Sequence, residues 1–385
     1  MAATEHGVVI VGSGAAGHSC ARALRAEGFV GRIRLVHGEP GPAINRTLVD
    51  KGVLPGLLTG SQIALPPIAE VEVIPAIAVE LRASTRSVVL DDGRELQGDA
   101  LVLATGSVPR ALDASIEVDA SVRLHVLHGV ADAEGLRRAI PEPAGSRIVI
   151  LGAGFIGAEV ASHYAGAGAR VTLVGRSPLP LRAAVGDAIA TRFAALHAER
   201  TDARLGVGVR AVRSARRGPD AAVVELEDGS RIDADAVLVA VGSRPDTGWA
   251  GVEGAIAVDD RFRVLEAPGV YATGSASAPE LAAGRMRVDH WDAAVSQGAP
   301  GARAVLHDLG LGDDPGPWRA TTGFSLMAHG AVVTARGVRT PDAVESTEPL
   351  ERGGLLTRFS TRSGVPTGLA GWNAGPHLAR AAAEL

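Results

Sequence analysis

The stretch DDGRELQGDALVLATGSVPR, residues 91–110, returns as EDGSRIDADAVLVAVGSRPD at 227–246. Each copy reads as an Asp-Gly hairpin turn, a polar strand, an apolar strand and a closing glycine, and Gly93 to Gly106 is spaced as Gly229 to Gly242. A second echo lies upstream of each. Val8 to Val11 reads as a strand, Ala15 to Glu27 as a helix and Arg32 to Val36 as another strand; Ile148 to Leu151, Phe155 to Ala167 and Arg170 to Val174 repeat that order. Two echoes in one register mean two copies of a single α/β module in tandem.

Both modules place glycines at the first strand-to-helix turn: Gly12, Gly14 and Gly17 around Ala15 and Ala16, then Gly152, Gly154 and Gly157 around Phe155 and Ile156. The first glycine permits the tight turn, the second lets backbone approach a pyrophosphate, and the third lets helix pack on strand. One such motif in a chain with 49 glycines is weak evidence, and the alternative is a turn that only packs. Two in matching context specify two Rossmann-like dinucleotide-binding domains. After Val241 the chain returns to the first module through a strand at Gly269 to Thr273 and a helix from Trp291 to Leu309, so the second module is an insertion. DDPGPW (313–318) reads as a turn-rich linker, and strands at Leu355 to Phe359 and Thr367 to Trp372 with a helical tail form a small C-terminal α/β domain. The expected boundaries are 1–112, 113–244, 245–318 and 319–385.

Composition narrows the chemistry. Cys20 is the only cysteine, which excludes an intrachain disulfide, a CxxC redox centre and a multi-cysteine metal cluster, so no metal is expected and electrons must travel through a bound cofactor. A formal charge of −5 and few aromatic residues argue against nucleic acid, and apolar runs of four to six residues fall far short of a membrane span. The opening MAATEHGVVIVG has no signal-peptide pattern, so the cytoplasm is the expected location, with a monomer or homodimer both open. Lys51 is the only lysine among the 38 basic residues.

The residues after each second strand meet an adenosine ribose in this fold, where a carboxylate suits a free 2′-hydroxyl and an arginine a 2′-phosphate. Glu39 in VHGEP suits FAD, whereas Arg176 and Ser177 in VGRSP favour NADPH over NADH unless Arg176 is simply a solvated loop residue.

At this point the chain resembles the FAD-dependent pyridine-nucleotide reductases of the ferredoxin, putidaredoxin and rubredoxin reductase type. NRTLVDKGVL (45–54), ATGSVPR (104–110), AVGSRP (240–245) and DHWDAAVSQG (289–298) carry the likeness, which fades after about residue 318. It implies that FAD meets Gly12, Gly14, Ala15, Ala16, Gly17, Glu39, Arg46, Lys51, Val79, Ala104, Thr105, Gly106, Arg110, His128, Gly274, Ser275, His290 and Trp291. The nicotinamide nucleotide falls to Gly152, Gly154, Phe155, Ile156, Gly157, Arg176, Ser177 and Gly242. Lys51 and Glu159 are the expected catalytic pair: the resemblance sets the lysine by flavin N5 with Glu159 as its partner, holding charge while hydride passes from nicotinamide to flavin. A lone lysine suits a demand for a compact ammonium whose pKa burial can shift; the alternative is an ordinary surface lysine.

Three features depart from the pattern. Ser275 in VYATGSAS stands where the family has an aspartate for the ribityl chain, His128 where it has an arginine for the flavin phosphates, and PWRATTGFSLMAHG (317–330) replaces a Trp-rich segment over the flavin. Trp291 reads as a core anchor opening a helix more readily than as a ring-stacking side chain. Arg210, Arg213, Arg216 and Arg217 read as a solvated face rather than a docking patch. The resulting function is an FAD-dependent NAD(P)H oxidoreductase feeding a ferredoxin- or rubredoxin-like acceptor. Two alternatives stand beside it, a flavoenzyme acting on a small organic substrate or oxygen, and a flavin-poor binding scaffold.

Overall fold

Val8 and Ile10 point to one side of their strand and Val9 and Val11 to the other, and all four are buried, so that strand must sit inside a sheet covered on both faces. The computed structural model, which describes residues 7–215, 220–281, 284–321 and 323–385, bears this out. Its helices are α1 (Ala15–Ala26), α2 (Val130–Ala139), α3 (Phe155–Gly166), α4 (Arg182–Arg200), α5 (Trp291–Asp308) and α6 (Gly375–Ala381). The chain divides into two units, Met1–Asn45 with Ser61–Val108 and Arg244–Thr322, and Arg46–Gly60 with Pro109–Ser243 and Gly323–Leu385.

In the first unit the parallel sheet runs Val270–Ala272, Ala100–Leu103, Gly7–Val11, Arg32–His37, Val71–Pro75. Val8 and Ile10 pack with Cys20, Leu24 and the α5 residues Ala302 and Val305 on one face. On the other, Val9 and Val11 pack with Val88 and Leu90 of an antiparallel hairpin, and with Phe262 and Trp318. The expected linker is therefore tied down: the Trp318 ring lies 5.5 Å from that of Phe262, and Arg261 grips Asp314 through two bonds of 2.6 and 2.8 Å.

The second unit repeats the plan, with a parallel sheet ordered Leu124–His125, Ala236–Val239, Arg147–Leu151, Arg170–Gly175, Asp202–Leu205. The equivalent edge strand comes late in the first unit's sequence and early in the second's. The C-terminal segment forms an antiparallel sheet ordered Gly323–Ala328, Ala331–Gly337, Pro366–Trp372, Leu355–Ser360, Val344–Pro349. Two of these strands are those read from sequence. The sheet shares one core with α4, where Ile189 and Phe193 meet Leu326, Val333 and Trp372.

Helices α1 and α5 cross closely in the first unit because Gly298 has no side chain: a Cβ there would lie 2.4 Å from the Ala16 carbonyl oxygen and 2.8 Å from the Cys20 nitrogen. Ser19 donates to the Val295 carbonyl across the same crossing, at 2.8 Å. Cys20 has no exposed surface, and burial pushes its thiol up to about 12. We expect Gly298→Val to cost about 1 to 3 kcal/mol by overpacking. Cys20 reports the opening directly: wild-type protein should resist a thiol reagent while native, and the variant should label, and an unchanged melting midpoint with Cys20 still protected would show that the crossing tolerates a branched side chain.

Candidate functional site

The two glycine turns are close duplicates. Gly12 has φ of 102° and Gly152 of 114°, in the left-handed range. A Cβ on Gly12 would meet the Ala104 carbonyl oxygen at 2.3 Å, and one on Gly152 the Ala240 carbonyl oxygen at 2.2 Å. The third glycines, Gly17 and Gly157, lie against the carbonyls of Gly12 and Gly152 at 1.8 and 1.9 Å by the same measure. Only the middle glycines, Gly14 and Gly154, face open space, with nothing within 4 Å. Each leads into a helix whose first backbone N–H groups, at Ala15 and Ala16 or at Phe155 and Ile156, are those a pyrophosphate accepts from. Both turns thus fit the phosphates of a dinucleotide.

Around the first turn the structure gathers much of what sequence selected, at the carboxyl ends of the strands, where this fold binds ligands. Ala104, Thr105 and Gly106 follow one strand, and the Thr105 hydroxyl donates to the Asp246 carbonyl. Gly274 and Ser275 follow another, Gly274 lying against Ala16 and Ala294. Buried Gln297 accepts from the Gly274 N–H at 2.7 Å and from Ser277 at 3.2 Å, while its own Nε2 and the Thr273 hydroxyl are buried without partners. Glu39 lies exposed after the second strand. Val79 is 47% exposed on the hairpin, where a register irregularity between Ala78 and Glu80 leaves it outside the ladder.

Trp291 corrects the sequence reading. Rather than anchoring the core, it opens α5 half-exposed and lines a cleft of about 810 Å³ with His18, Pro66 and Val295. The helix enters the core through Ala294, Ala302, Val305 and Leu306, and Trp291 is not among the buried residues there.

Sequence reasoning missed several polar partners. Ser13 and His37 share a buried 2.5 Å bond, and the other ring nitrogen of His37 meets the Gly41 carbonyl at 2.6 Å. Arg287 bonds the Ser275 carbonyl at 2.7 Å and Asp289 at 2.7 Å, and Asp289 accepts from Ser107 at 3.2 Å. Thus a carboxylate is two bonds from Ser275, although Ser275 itself has none.

In the second unit Arg176 and Ser177 are exposed after their strand, and the Ser177 hydroxyl donates to the Leu179 carbonyl at 2.8 Å. Phe155 sets its ring edge-on to Phe324 at 4.6 Å. Arg110 donates from its backbone to Gly242 at 3.0 Å and from its side chain to Ser243 at 2.7 Å, joining the two segments that resembled each other in sequence. Arg46 donates to the His128 carbonyl at 3.1 Å. Arg210 and Arg213 are paired with Glu225 and with Glu117 and Asp119, which supports the solvated-face reading; Arg216 and Arg217 lie outside the described residues.

The Lys51–Glu159 pair is present. Residues Val49–Val53 form one π-helical turn, closed by Leu54 N–H to Val49 C=O at 2.8 Å, a form frequent at functional sites. Lys51 Nζ lies 2.5 Å from Glu159 Oε2 and 3.1 Å from Asp50 Oδ2. Burial works against the ammonium, but the two carboxylates outweigh it and raise its pKa. Burial, reinforced by Asp50, raises Glu159 to about 8 against the pull of Lys51. Glu159 also accepts the Met327 N–H at 3.0 Å through Oε1. No helix among the described residues is long and apolar enough to cross a membrane.

Comparison with known proteins agrees with this geometry. The family model described as pyridine nucleotide-disulphide oxidoreductase matches residues 6–298. The chain is 32% identical over 343 residues to the ferredoxin reductase component of chlorobenzene dioxygenase from Cupriavidus sp. (strain PS12), covering 84% of this chain and 80% of that one. It is 30% identical over 344 residues to the rubredoxin-NAD(+) reductase of Pseudomonas putida, covering 84% and 86%. A putidaredoxin reductase–putidaredoxin complex shares the fold at a TM-score of 0.89 and 23% identity, over 99% of this chain and 93% of that one. With its glycine turns, its repeated sheets and most of its length accounted for, the chain belongs to the pyridine nucleotide-disulphide oxidoreductase family, among the FAD-dependent reductases of ferredoxin reductase type.

Proposed function

We propose that this chain oxidises NADPH, or NADH, and passes the electrons one at a time to a small ferredoxin- or rubredoxin-like protein in the cytoplasm. The observation that carries the reading is the duplicated turn, closed by carbonyl oxygen at its outer glycines and open at Gly14 and Gly154. Such a pair serves two dinucleotides in one chain. FAD belongs to 1–112 with 245–318 and the nicotinamide nucleotide to 113–244. Bound FAD supplies what no side chain here can: it accepts a hydride as two electrons and releases them singly.

The protein's part is to bind, orient and balance charge. Gly12, Gly14 and Gly17 bring the α1 backbone to the flavin's pyrophosphate, and Glu39 accepts from its ribose. Ala104 to Gly106, Gly274, Ser275 and His290 would hold the rest of the cofactor. Gly152, Gly154 and Gly157 do the same for the nicotinamide nucleotide, with Arg176 as the donor to a 2′-phosphate. Lys51, steadied by Glu159, supplies a positive charge to a ring that gains electrons, which favours the reduced state without moving hydride. The electron acceptor is read from the relatives' names and from the absence of any cysteine pair that would take electrons within the chain.

The purified protein should carry flavin absorbance that NADPH bleaches under anaerobic conditions, faster than NADH does. A colourless protein that stays so after incubation with FAD would remove this reading, and a faster reaction with NADH would remove the role of Arg176. Lys51→Ala should slow flavin reduction by at least about tenfold with nucleotide affinity retained, as followed by stopped-flow absorbance; an unchanged rate would mean the ammonium has no part in the reaction. Ser275→Asp should tighten FAD about tenfold by restoring a charge-assisted bond, and equilibrium dialysis showing no gain in occupancy would indicate that Asp289 and Arg287 already fill that place.

A further inference from the structure

Two carboxylates on one ammonium leave the group one negative charge in excess, and the geometry of this trio makes the excess hard to sustain. Asp50 and Glu159 keep only 3% and 8% of their side-chain surface exposed. Each receives a hydrogen bond from Lys51, so two nearly buried acids share one ammonium. Two anions withdrawn from water on a single cation keep one charge uncompensated, and a proton on one of them removes it. Neighbouring charge does not relieve the need. On α2, Asp132 is taken up by the N–H groups of His128 and Gly129, and Arg137 lies against Gly56. From the hairpin that packs on α3, His329 bonds His197 and Met327 offers a backbone N–H. His163 on α3 is itself disfavoured as a cation by burial.

We propose that Asp50 converts the Lys51–Glu159 pair into a holder for a single exchangeable proton, and that this proton is the one the proposed reaction releases. NAD(P)H and two molecules of oxidised one-electron acceptor give NAD(P)⁺, two reduced acceptors and one H⁺. The acid member gives its proton to water, its O–H bond breaking as hydronium forms, and the one proton of the overall reaction then restores that O–H bond, while Lys51 stays charged. With the proton the trio is neutral, and without it the trio carries one negative charge. Glu159 is held close to neutrality for this purpose, burial and Asp50 together raising it against Lys51. The assignment rests on the functional reading above for its reaction, but the proton itself belongs to three side chains of one unit and is measurable on its own.

The test is a pH titration of the intact holoenzyme carrying ¹³C-carboxyl glutamate, followed by NMR, in wild type, Asp50→Asn and Glu159→Gln. One glutamate resonance should titrate near pH 8 in wild type. It should be missing in Glu159→Gln, which assigns it. In Asp50→Asn the second carboxylate is gone, Lys51 dominates, and proton affinity at Glu159 should fall by at least about tenfold. In parallel, the rate of acceptor reduction should depend on pH around the same midpoint in wild type and lose that dependence in Asp50→Asn. Asp50→Ser serves as the second variant should asparagine disturb the turn. A wild-type protein with no glutamate titrating above pH 6, or an Asp50 variant that leaves the midpoint in place, overturns the proposal. If bound flavin proves unreactive toward both nucleotides while the resonance titrates as expected, the proton holder stands and the functional reading is what falls.

Discussion

Two carbonyl oxygens, those of Ala104 and Ala240, lie where a Cβ on Gly12 or Gly152 would have to go, at 2.3 and 2.2 Å. Steric exclusion at these points decides more than two turns. It allows the first strand of each unit to run directly into a helix beside the strand that ends the hairpin, and the clearances at Gly17 and Gly157 bring that helix onto the sheet. Backbone N–H groups at the helix start are left aimed at open space in front of Gly14 and Gly154. The constraint therefore builds the open helix start and the layer packing in one step, and it does so by removing atoms.

The fold was legible because its signals are local and repeated. Val8 to Val11 and Ile148 to Leu151 sit in the middle of parallel sheets, so unbroken apolar runs mark them. The Asp-Gly turns ending at Gly93 and Gly229 demand a left-handed residue, and both glycines have φ of 84°. What the sequence left unread depends on distant partners. The strands Gly323–Ala328 and Ala331–Gly337 are joined at Ala328–Ala331 through His329 at φ 51° and Gly330, with no Asn-Gly or Asp-Gly to announce a turn. Their apolar residues find a place only because Ile189 and Phe193 of α4 cover them. Trp291 misled for a similar reason: its size suggested an anchor, but α5 enters the core further along, at Ala294, Ala302, Val305 and Leu306.

The candidate site was legible to the same depth. Lys51 and Glu159 were found by rarity and resemblance, but Asp50 was passed over, since adjacent residues on a regular helix do not face each other. A π-helical turn and the long lysine stem defeat that rule. The ammonium folds back to 3.1 Å from its neighbour's carboxylate, a contact that spacing alone does not show. Gln297 was hidden likewise, as one glutamine in a helix quoted for its other residues, although it holds the Gly274 N–H at 2.7 Å.

The charge balance at Lys51 has a consequence for stability that separates it from ordinary structural ion pairs. A carboxylate held low by a cation stabilises a fold at neutral pH; Glu159 is displaced the other way, from 4.5 to about 8, with burial as the main cause and Asp50 the next. The native state then binds its proton more tightly than the unfolded chain does. That contribution is complete below about pH 4.5 and is lost as the pH rises through about 8, so at neutral pH part of it has gone. Lys51, raised instead, keeps its contribution below its unfolded value of 10.5 and loses it only at still higher pH. Over the range in which the two nucleotides would react, then, the glutamate is a progressively growing cost to the fold and the lysine a constant gain. Removing Asp50 relieves the repulsion at Glu159, so the buried acid beside the chain's one lysine works against the fold at neutral pH while it keeps Glu159 able to hold a proton there.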